Sequence, residues 1–345
     1  MNIECPIPVE TDELVRLGHG SGGELSQQLL QKHIFPYFNN PWVAEGRDSS
    51  VLPLGDQQLV FTTDSYVVTP LFFPGGDIGK LAVYGTVNDL AMSGARPLYL
   101  SCSLILEEGL PMETLDRVMA SMGEAAAEVG VALVTGDTKV VERGKGDGLY
   151  INTSGIGMLE QPLQIGPGQI QPGDRILLSG DIGRHGMTIM ATREGLEFES
   201  PLQSDCAPLH GAVAKLLNAG IVVHCLRDLT RGGLATVLVE LAESSGYQLL
   251  AREDDIPVCT PVQGACEILG LDPLYVANEG RFIAFVPEQD AARAQSILCG
   301  CPVSEGCQVI GEVRNVARPQ AVLENALGYE RLLDRLPGEQ LPRIC

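Results

Sequence analysis

A strand, an amphipathic helix and a second strand follow one another between Leu98 and Thr135, and this unit constrains the fold more than any other stretch. Leu98 to Leu106 reads as a strand, and Met112 to Val129 as a long helix with Leu115, Val118, Met119 and Met122 on one face. Val131 to Thr135 is the second strand of this β-α-β unit, and Leu149 to Leu159 completes the sheet. The second strand delivers Gly136-Asp137-Thr138-Lys139 at its end. Lys139 reads either as a surface lysine or, paired with Asp137 after a buried strand, as a contact for a γ-phosphate.

Upstream, Gly18-His19-Gly20-Ser21-Gly22-Gly23 precedes an amphipathic run from Glu24 to Ile34. Glycines let the backbone pass close to a ligand, and N–H groups at a helix start favour anions, so Gly20, Ser21, Gly22 and Gly23 suit phosphate, with Ser21 as a possible cap. The competing reading is an ordinary connection. Two short β-like runs, Val51 to Leu54 and Gln58 to Thr63, carry Asp48 just before them and Asp64 at their end. Both aspartates can reach one sheet edge, where a hard cation finds oxygen ligands; as isolated residues they are ordinary turn formers. Ile78 to Met92 is a helix rich in small residues with Asn88 and Asp89 at its centre. A polar pair there needs a metal, a nucleotide or an internal hydrogen bond, and a ligand is the expectation.

At 345 residues with 45% hydrophobic content, 40 glycines and few aromatics, the chain suits two mixed α and β domains. The run Ile165 to Asp174 concentrates glycine and proline and marks the boundary. The expected divisions are a glycine loop and helix (1–45), an N-terminal α/β domain (46–164), a C-terminal α/β domain (165–336) and a flexible tail (337–345). The second half alternates again: strand 175–179, helices 186–194 and 206–219, strand 222–226. Arg227-Asp228-Leu229-Thr230-Arg231-Gly232-Gly233 then opens a helix, an arrangement in which backbone donors face a ligand. Glu279, bracketed by apolar sequence, is either a carboxylate of raised pKa suited to a general base or the ion-pair partner of Arg281. Leu323 to Leu336 reads as a short final helix.

Pro337, Gly338 and Pro342 argue against a closing helix, and the extended segment from Gly338 to Cys345 would reach roughly 26 to 29 Å. Cys345 is either an idle thiol or a mobile one able to enter a cleft. The net charge of −21, with basic residues scattered singly, argues against nucleic acid and acidic membranes. Any nucleotide polyphosphate must bring cations, which makes magnesium part of that hypothesis. The first residues carry neither a basic region nor an apolar run, and no long apolar stretch follows, so a cytoplasmic protein is expected. Cys299, Cys301 and Cys307 lack the spacing of a strong metal site and read as structural.

Seven motifs in order carry a resemblance over essentially the whole chain. They are Gly-His-Gly-Ser-Gly-Gly from Gly18, Thr-Thr-Asp-Ser-Tyr-Val at 62–67, Pro-Leu-Phe-Phe-Pro-Gly-Gly at 70–76 and Thr-Gly-Asp-Thr-Lys-Val-Val at 135–141, followed by Arg-Asp-Leu-Thr-Arg-Gly-Gly at 227–233, Ala-Asn-Glu-Gly at 277–280 and the closing Pro-Arg-Ile-Cys. Together they resemble the HypE family of hydrogenase maturation factors, within the wider aminoimidazole ribonucleotide synthetase-like (PurM-like) superfamily. The resemblance implies an α+β (mixed α/β), two-domain PurM-like fold with a flexible C-terminal tail, binding ATP with magnesium between the domains and forming a homodimer through the N-terminal sheets.

It further implies a carbamoyl dehydratase. Cys345 would take a carbamoyl group from a HypF-like partner, ATP would activate the amide oxygen, and the resulting thiocyanate would pass to a HypC-HypD complex. By the same resemblance Glu279 is the base, and Asp48, Asp64, Asp89 and Asp137 hold magnesium. Asn88, Asp89, Asp137, Thr138 and the 20–23 loop contact the nucleotide, Lys139 neutralises γ-phosphate charge, and Asp228 with Thr230 lines the opposite wall. Arg143 and Lys145 stand where some relatives carry a histidine, which leaves a second proton-transfer group unassigned. A sister synthetase, such as selenophosphate synthetase, would share the nucleotide site without needing Cys345. It would usually carry a reactive Cys followed closely by Lys, whereas Cys5 is followed by Pro-Ile-Pro. A non-catalytic scaffold presenting Cys345 would hydrolyse no ATP.

Overall fold

The computed structural model describes residues 14–20, 22–37, 42, 47–195, 202–316, 318–336 and 343–345. Helix α1 (Glu24–Leu29) continues through Leu30–Ile34. Strands β1 (Ser50–Leu54) and β2 (Gln57–Tyr66) form a hairpin whose turn uses Gly55 at φ +63°. A short ladder of β3 (Phe72–Phe73) and β4 (Gly76–Asp77) leads to α2 (Ile78–Met92). Asp77 starts this helix by accepting from the backbone N–H groups of Gly79 (2.8 Å) and Lys80 (3.1 Å). Then come β5 (Arg96–Glu107), α3 (Met112–Val129), β6 (Ala132–Val141) and β7 (Leu149–Met158). The sheet order is β1-β2-β7-β5-β6, with only β5 and β6 parallel.

This sheet is covered on one face. Along β7, buried and half-buried residues alternate strictly, because α2 and α3 pack on one side and the other side is open. Helix α2 is buried nearly all round because it is shared: it packs on β2 and β7, and also touches helix and strand of the second half. Its small residues make that possible. A Cβ at Gly85 would overlap the Tyr66 hydroxyl, and one at Gly79 would meet the Val118 carbonyl at 2.5 Å.

The second half contains β8 (Asp174–Leu178), α4 (Arg184–Glu194), α5 (His210–Asn218), β9 (Cys225–Asp228), α6 (Gly233–Ser245), β10 (Gln248–Arg252) and α7 (Thr260–Leu269). It closes with β11 (Phe282–Pro287), α8 (Glu288–Cys299), β12 (Gln308–Arg314), β13 (Gln320–Glu324) and β14 (Glu330–Leu332). The seven strands run in the order β14-β13-β10-β12-β8-β11-β9. Both faces of this sheet are buried. Ile176, Leu178, Ile283 and Phe285 pack with Leu234 and Leu238 of α6 on one side, and Leu177, Phe282, Ala284 and Val286 pack with Leu216 and Leu298 on the other.

Several expectations fail here. The strand expected to end at Thr135 runs on to Val141, which puts Asp137 to Lys139 inside β6 and not at its end. The strand expected over 222–226 is β9 at Cys225–Asp228. Leu323 to Leu336 is a hairpin, not a helix, because Asn325 Oδ1 accepts from the N–H groups of Leu327 and Tyr329 (3.0 Å each) and Gly328 takes φ +78°. The helix expected from Cys206 begins only at His210.

Candidate functional site

Four aspartates converge from both halves of the chain. Asp48 stands two residues before β1, and Asp64 lies on the α2-facing side of β2 through the same alternation that buries Val60, Thr62 and Tyr66. Asp89 is near the end of α2, and Asp228 ends β9. Carboxylate oxygens of Asp48, Asp89 and Asp228 lie within 4.8 Å of one another. Burial raises the pKa of all four, and mutual repulsion adds to it: Asp64 pushes on Asp48, Asp89 and Asp228. Asp48 rises to about 6 despite its ion pair with Arg227 at 2.9 Å. The Thr62 hydroxyl donates to Asp89 Oδ2 at 2.7 Å, which steers that carboxylate but does not discharge it.

Beyond Asp228, the chain turns sharply. Gly232 and Gly233 take φ +81° and +61°, and a Cβ at Gly233 would meet the Leu274 carbonyl at 2.6 Å, so only glycine can open α6 here. The turn projects Arg231 into the cleft. Its charge lies against Cys345 first of all, and also against Asp64, Glu279 and Asp89, while its Nη1 donates to the Gly20 carbonyl at 2.9 Å. Gly22, at φ +83°, packs so closely on Arg231 that a Cβ would meet the arginine Cβ at 2.9 Å. Gly22, Ser26, Asp228, Thr230 and Arg231 help to line a cavity of about 270 Å³. Gly20 and Gly22 of the glycine loop thus meet Arg231 across the chain from the aspartates of β2 and α2; Ser21 lies outside the described residues.

Glu279 is buried, and its Oε1 has no hydrogen-bond partner among the described residues. Burial raises its pKa well above the carboxylate range, with Asp64, Asp228 and Asp205 adding repulsion and Arg231 opposing. The ion pair with Arg281 does not form, because Arg281 Nη2 binds Asp181 at 2.8 Å. Asp205 shapes the turn instead, accepting from the backbone N–H groups of His185 (2.9 Å), Glu279 (3.1 Å) and Gly280 (2.9 Å).

Cys345 lies beside these groups. Burial pushes its thiol up to about 12, Arg231 opposes the shift, and Glu279 and Asp64 reinforce it. The described end of the expected flexible tail, Arg343 to Cys345, is therefore docked in the cleft; residues 337–342 lie outside the described set.

Two sequence expectations are corrected. Asn88 does not face a ligand: its Nδ2 donates to the carbonyls of Ala207 (3.1 Å) and Glu279 (3.4 Å), and its Oδ1 accepts from Leu209 N–H (2.8 Å). It fastens α2 to the second half. Asp137, Thr138 and Lys139 do not join the aspartates of their own subunit. Register runs laterally from Asp64 to Thr153, Cys102 and Gly136, so β6 lies three strands away, roughly 14 Å at about 4.8 Å per strand. The pleat then turns Asp137 and Lys139 to the opposite face, where Lys139 Nζ pairs with Asp137 Oδ2 at 2.6 Å, both exposed. Arg231, Asp205 and His185 were not foreseen. Arg231 stood inside a noted motif, but nothing in the sequence around Asp205 or His185 signals their contacts.

The acidic cleft joins two recognisable parts. Residues 46–159 match the family described as AIR synthase related protein, N-terminal domain, and residues 171–324 match its C-terminal domain; Asp48, Asp64 and Asp89 come from the first and Asp228 and Glu279 from the second. The chain is thus of the two-domain AIR synthase related class. Carbamoyl dehydratase HypE of Azotobacter vinelandii is 50% identical over 331 residues, covering 96% of this chain and 97% of that protein. A crystal structure of a HypE–HypF complex superposes with a TM-score of 0.85 at 43% identity, covering 89% of this chain and 99% of that one. A crystal structure of HypE in complex with ATP superposes with a TM-score of 0.81 at 50% identity, covering 95% and 98%. The chain belongs to the HypE carbamoyl dehydratase family.

Proposed function

We propose that this chain is an ATP-dependent carbamoyl dehydratase that converts an S-carboxamide on Cys345 to an S-cyanate, supplying cyanide ligands during nickel-iron hydrogenase maturation. The observation that carries this reading is the docking of Cys345 on the core cluster that holds Tyr66, Val68 and Ala277, with its main-chain oxygen 2.9 Å from Val67 N, next to the segments that carry Asp64 and Glu279. The names and ligands of the relatives support it: carbamoyl dehydratase, a complex with HypF, a complex with ATP.

The donor set fits magnesium, since it is all oxygen, crowded, and raised in pKa for want of positive charge. Asp48, Asp64, Asp89 and Asp228 would hold the ion, which supplies charge neutralisation for the triphosphate. In the reaction, the carboxamide oxygen attacks the γ-phosphorus, the bond to ADP breaks, and amide oxygen becomes part of a good leaving group. The nitrogen loses its two protons and the C–O bond breaks, giving thiocyanate, ADP, phosphate and a released proton. Glu279 is the base. Burial above all, and then repulsion from Asp64, Asp228 and Asp205, raises its pKa; a cation held by Asp64 and Asp228 would offset two of those repulsions and bring the pKa down toward the range a base needs. Arg231 offsets charge on the transferring group.

Asp137, Thr138 and Lys139 enter through a homodimer. The open face and edge of the N-terminal sheet expose Phe61, Tyr99, Ile105, Val134 and Val140, with Tyr99 at 49% and Val140 at 66%. An apolar face this large suits a second copy, which would receive Asp137 and Lys139 at its own nucleotide site. A HypF-like carbamoyltransferase is the donor and a HypC-HypD complex the acceptor. A reducing cytoplasm agrees with nine described cysteines that are all free, and among the described residues no helix is long and apolar enough to cross a membrane.

Mass spectrometry of the peptide containing Cys345, after incubation with a HypF-like carbamoyl donor, tests the proposal. A carbamoylated peptide is expected to lose one water only when ATP is added, and Cys345→Ala should form no thiocyanate while still binding Mg-ATP. Protein-bound thiocyanate in Cys345→Ala would show that the carrier is another residue.

A further inference from the structure

Arg343, Ile344 and Cys345 are gripped from both halves of the chain. Val67 N–H donates to a Cys345 main-chain oxygen at 2.9 Å, and the Val67 carbonyl accepts from Arg343 Nε at 3.1 Å. The Arg343 guanidinium pairs with Asp147, in a loop that Glu107 braces by accepting from Gly144 and Gly148 N–H groups. From the other half, Arg193 donates to the Arg343 carbonyl through Nη2 and to the Thr69 carbonyl through Nε. His185 Nε2 lies 2.8 Å from the Ile344 carbonyl and its Nδ1 lies 2.8 Å from the Ser204 hydroxyl. A carbonyl only accepts, so the proton is on Nε2 and Nδ1 accepts from Ser204. Ile344 is 3% exposed, within the N-terminal core cluster.

One feature of the segment opposes this grip. Arg343 has φ +52°, and it is the only non-glycine among the described residues with positive φ. An L side chain there crowds its own backbone, so the docked conformation is held by its partners and not by local preference.

We propose that Asp147, His185 and Arg193 are positioning residues that latch the 343–345 segment in the cleft against the left-handed backbone of Arg343, so that loss of any one contact frees Cys345. The use of the latch rests on Cys345 being the carrier; its existence does not. A sulfur packed on the N-terminal core cluster, with its main chain tied to Val67, is held away from an outside donor, so loading with an electrophile requires release, whereas a carbamoyl group already in place can return with the segment. A narrow margin between the two states lets one sulfur serve both steps.

The test follows alkylation of Cys345 by iodoacetamide at about pH 8 in the intact chain, without nucleotide or partners. The readout is the peptide of residues 340–345 released by Glu-C, with a synthetic Gln-Leu-Pro-Arg-Ile-Cys peptide as the unshielded reference. The wild type is expected to react at least about tenfold more slowly than the peptide, and Asp147→Asn, Arg193→Ala and His185→Phe at least about fivefold faster than the wild type. His185→Gln, which returns a donor to the Nε2 position, should stay near the wild-type rate. Asp147 is partly exposed, so Asp147→Asn is expected to keep the wild-type Tm and to decide the matter alone. Alkylation of the wild type at the peptide's rate, or of folded Asp147→Asn at the wild-type rate, overturns the latch. A failure of the dehydratase reading would appear elsewhere, as absent ATP-dependent loss of water with this alkylation pattern intact.

Discussion

Asp48, Asp64, Asp89 and Asp137 share one expected role, yet they end in opposite surroundings, and Asp228, expected only on the opposite wall, joins the first three. Asp48, Asp64, Asp89 and Asp228 are crowded in a cleft that burial and repulsion make hostile to charge, and their pKa values rise. Asp137 stands exposed on the edge strand, and hydrogen bonds from Lys139, then from its own strand, hold its pKa down. In the first group Asp48 has an ion pair with Arg227, yet all four are raised, and a cation is proposed to complete it, whereas Asp137 is paired with Lys139. Strand order, not residue type, separates them: two lateral neighbours of β2 must be crossed to reach β6.

The largest effect expected from breaking this contrast is on turnover. Asp228→Asn should lower ATP-dependent dehydration by on the order of a hundredfold or more, because one of the carboxylates proposed to hold the charge-neutralising ion is removed. Single-turnover conversion of carbamoylated protein measures it, and a loss under threefold would remove Asp228 from the site.

If Asp137 serves the partner's nucleotide, Asp137→Asn and Asp228→Asn proteins should complement. Each homodimer lacks a complete site, but a mixed dimer keeps one of two, so equal mixing after subunit exchange should restore about a quarter of wild-type activity. Activity no higher than the sum of the two separate variants would place both residues in one subunit's function, or Asp137 in none.

The cluster should also weaken the cation-free fold as pH rises. Asp48 has a folded pKa of about 6 against 3.8 when unperturbed. Below the lower value both states are protonated and the group has no effect. As pH rises through about 6 the folded state must carry an unfavourable charge, and stability falls by on the order of 3 kcal/mol. The difference in urea stability between wild type and Asp48→Asn, followed from about pH 4 to pH 7, isolates this slope, and saturating Mg-ATP should flatten it. A slope of opposite sign would mean that the ion pair with Arg227 outweighs desolvation.

The smallest effect belongs to the exposed aspartate. Asp137→Asn should leave the cation-free Tm unchanged, since its pair with Lys139 is open to solvent, while Asp89→Asn should raise it by a few degrees by removing a carboxyl whose charge is opposed by burial and then by its neighbours. Equal shifts in the two would erase the distinction.

Much of this was legible in the chain itself. The β-α-β unit and the glycine turns at Gly22 and Gly232-Gly233 follow from local spacing and from conformations only glycine tolerates, which neighbouring residues determine; of the aspartates expected at strand ends, Asp64 and Asp137 lie inside their strands. Glu279 was readable as a buried carboxylate because apolar residues flank it, and Cys345 because a proline-rich segment precedes it. The final helix was misread because a hydrophobic run tells little of a turn made by one asparagine side chain and one glycine.

Only tertiary structure decided which carboxylates meet. The lateral order of strands, the spending of Asn88 on backbone carbonyls, the arrival of Arg231 at the thiol and the docking of residues 343–345 on His185 and Arg193 all join positions far apart in the chain. Local sequence sets what each segment prefers, but these contacts depend on how two sheets, one covered on both faces and one on a single face, come together around a shared helix.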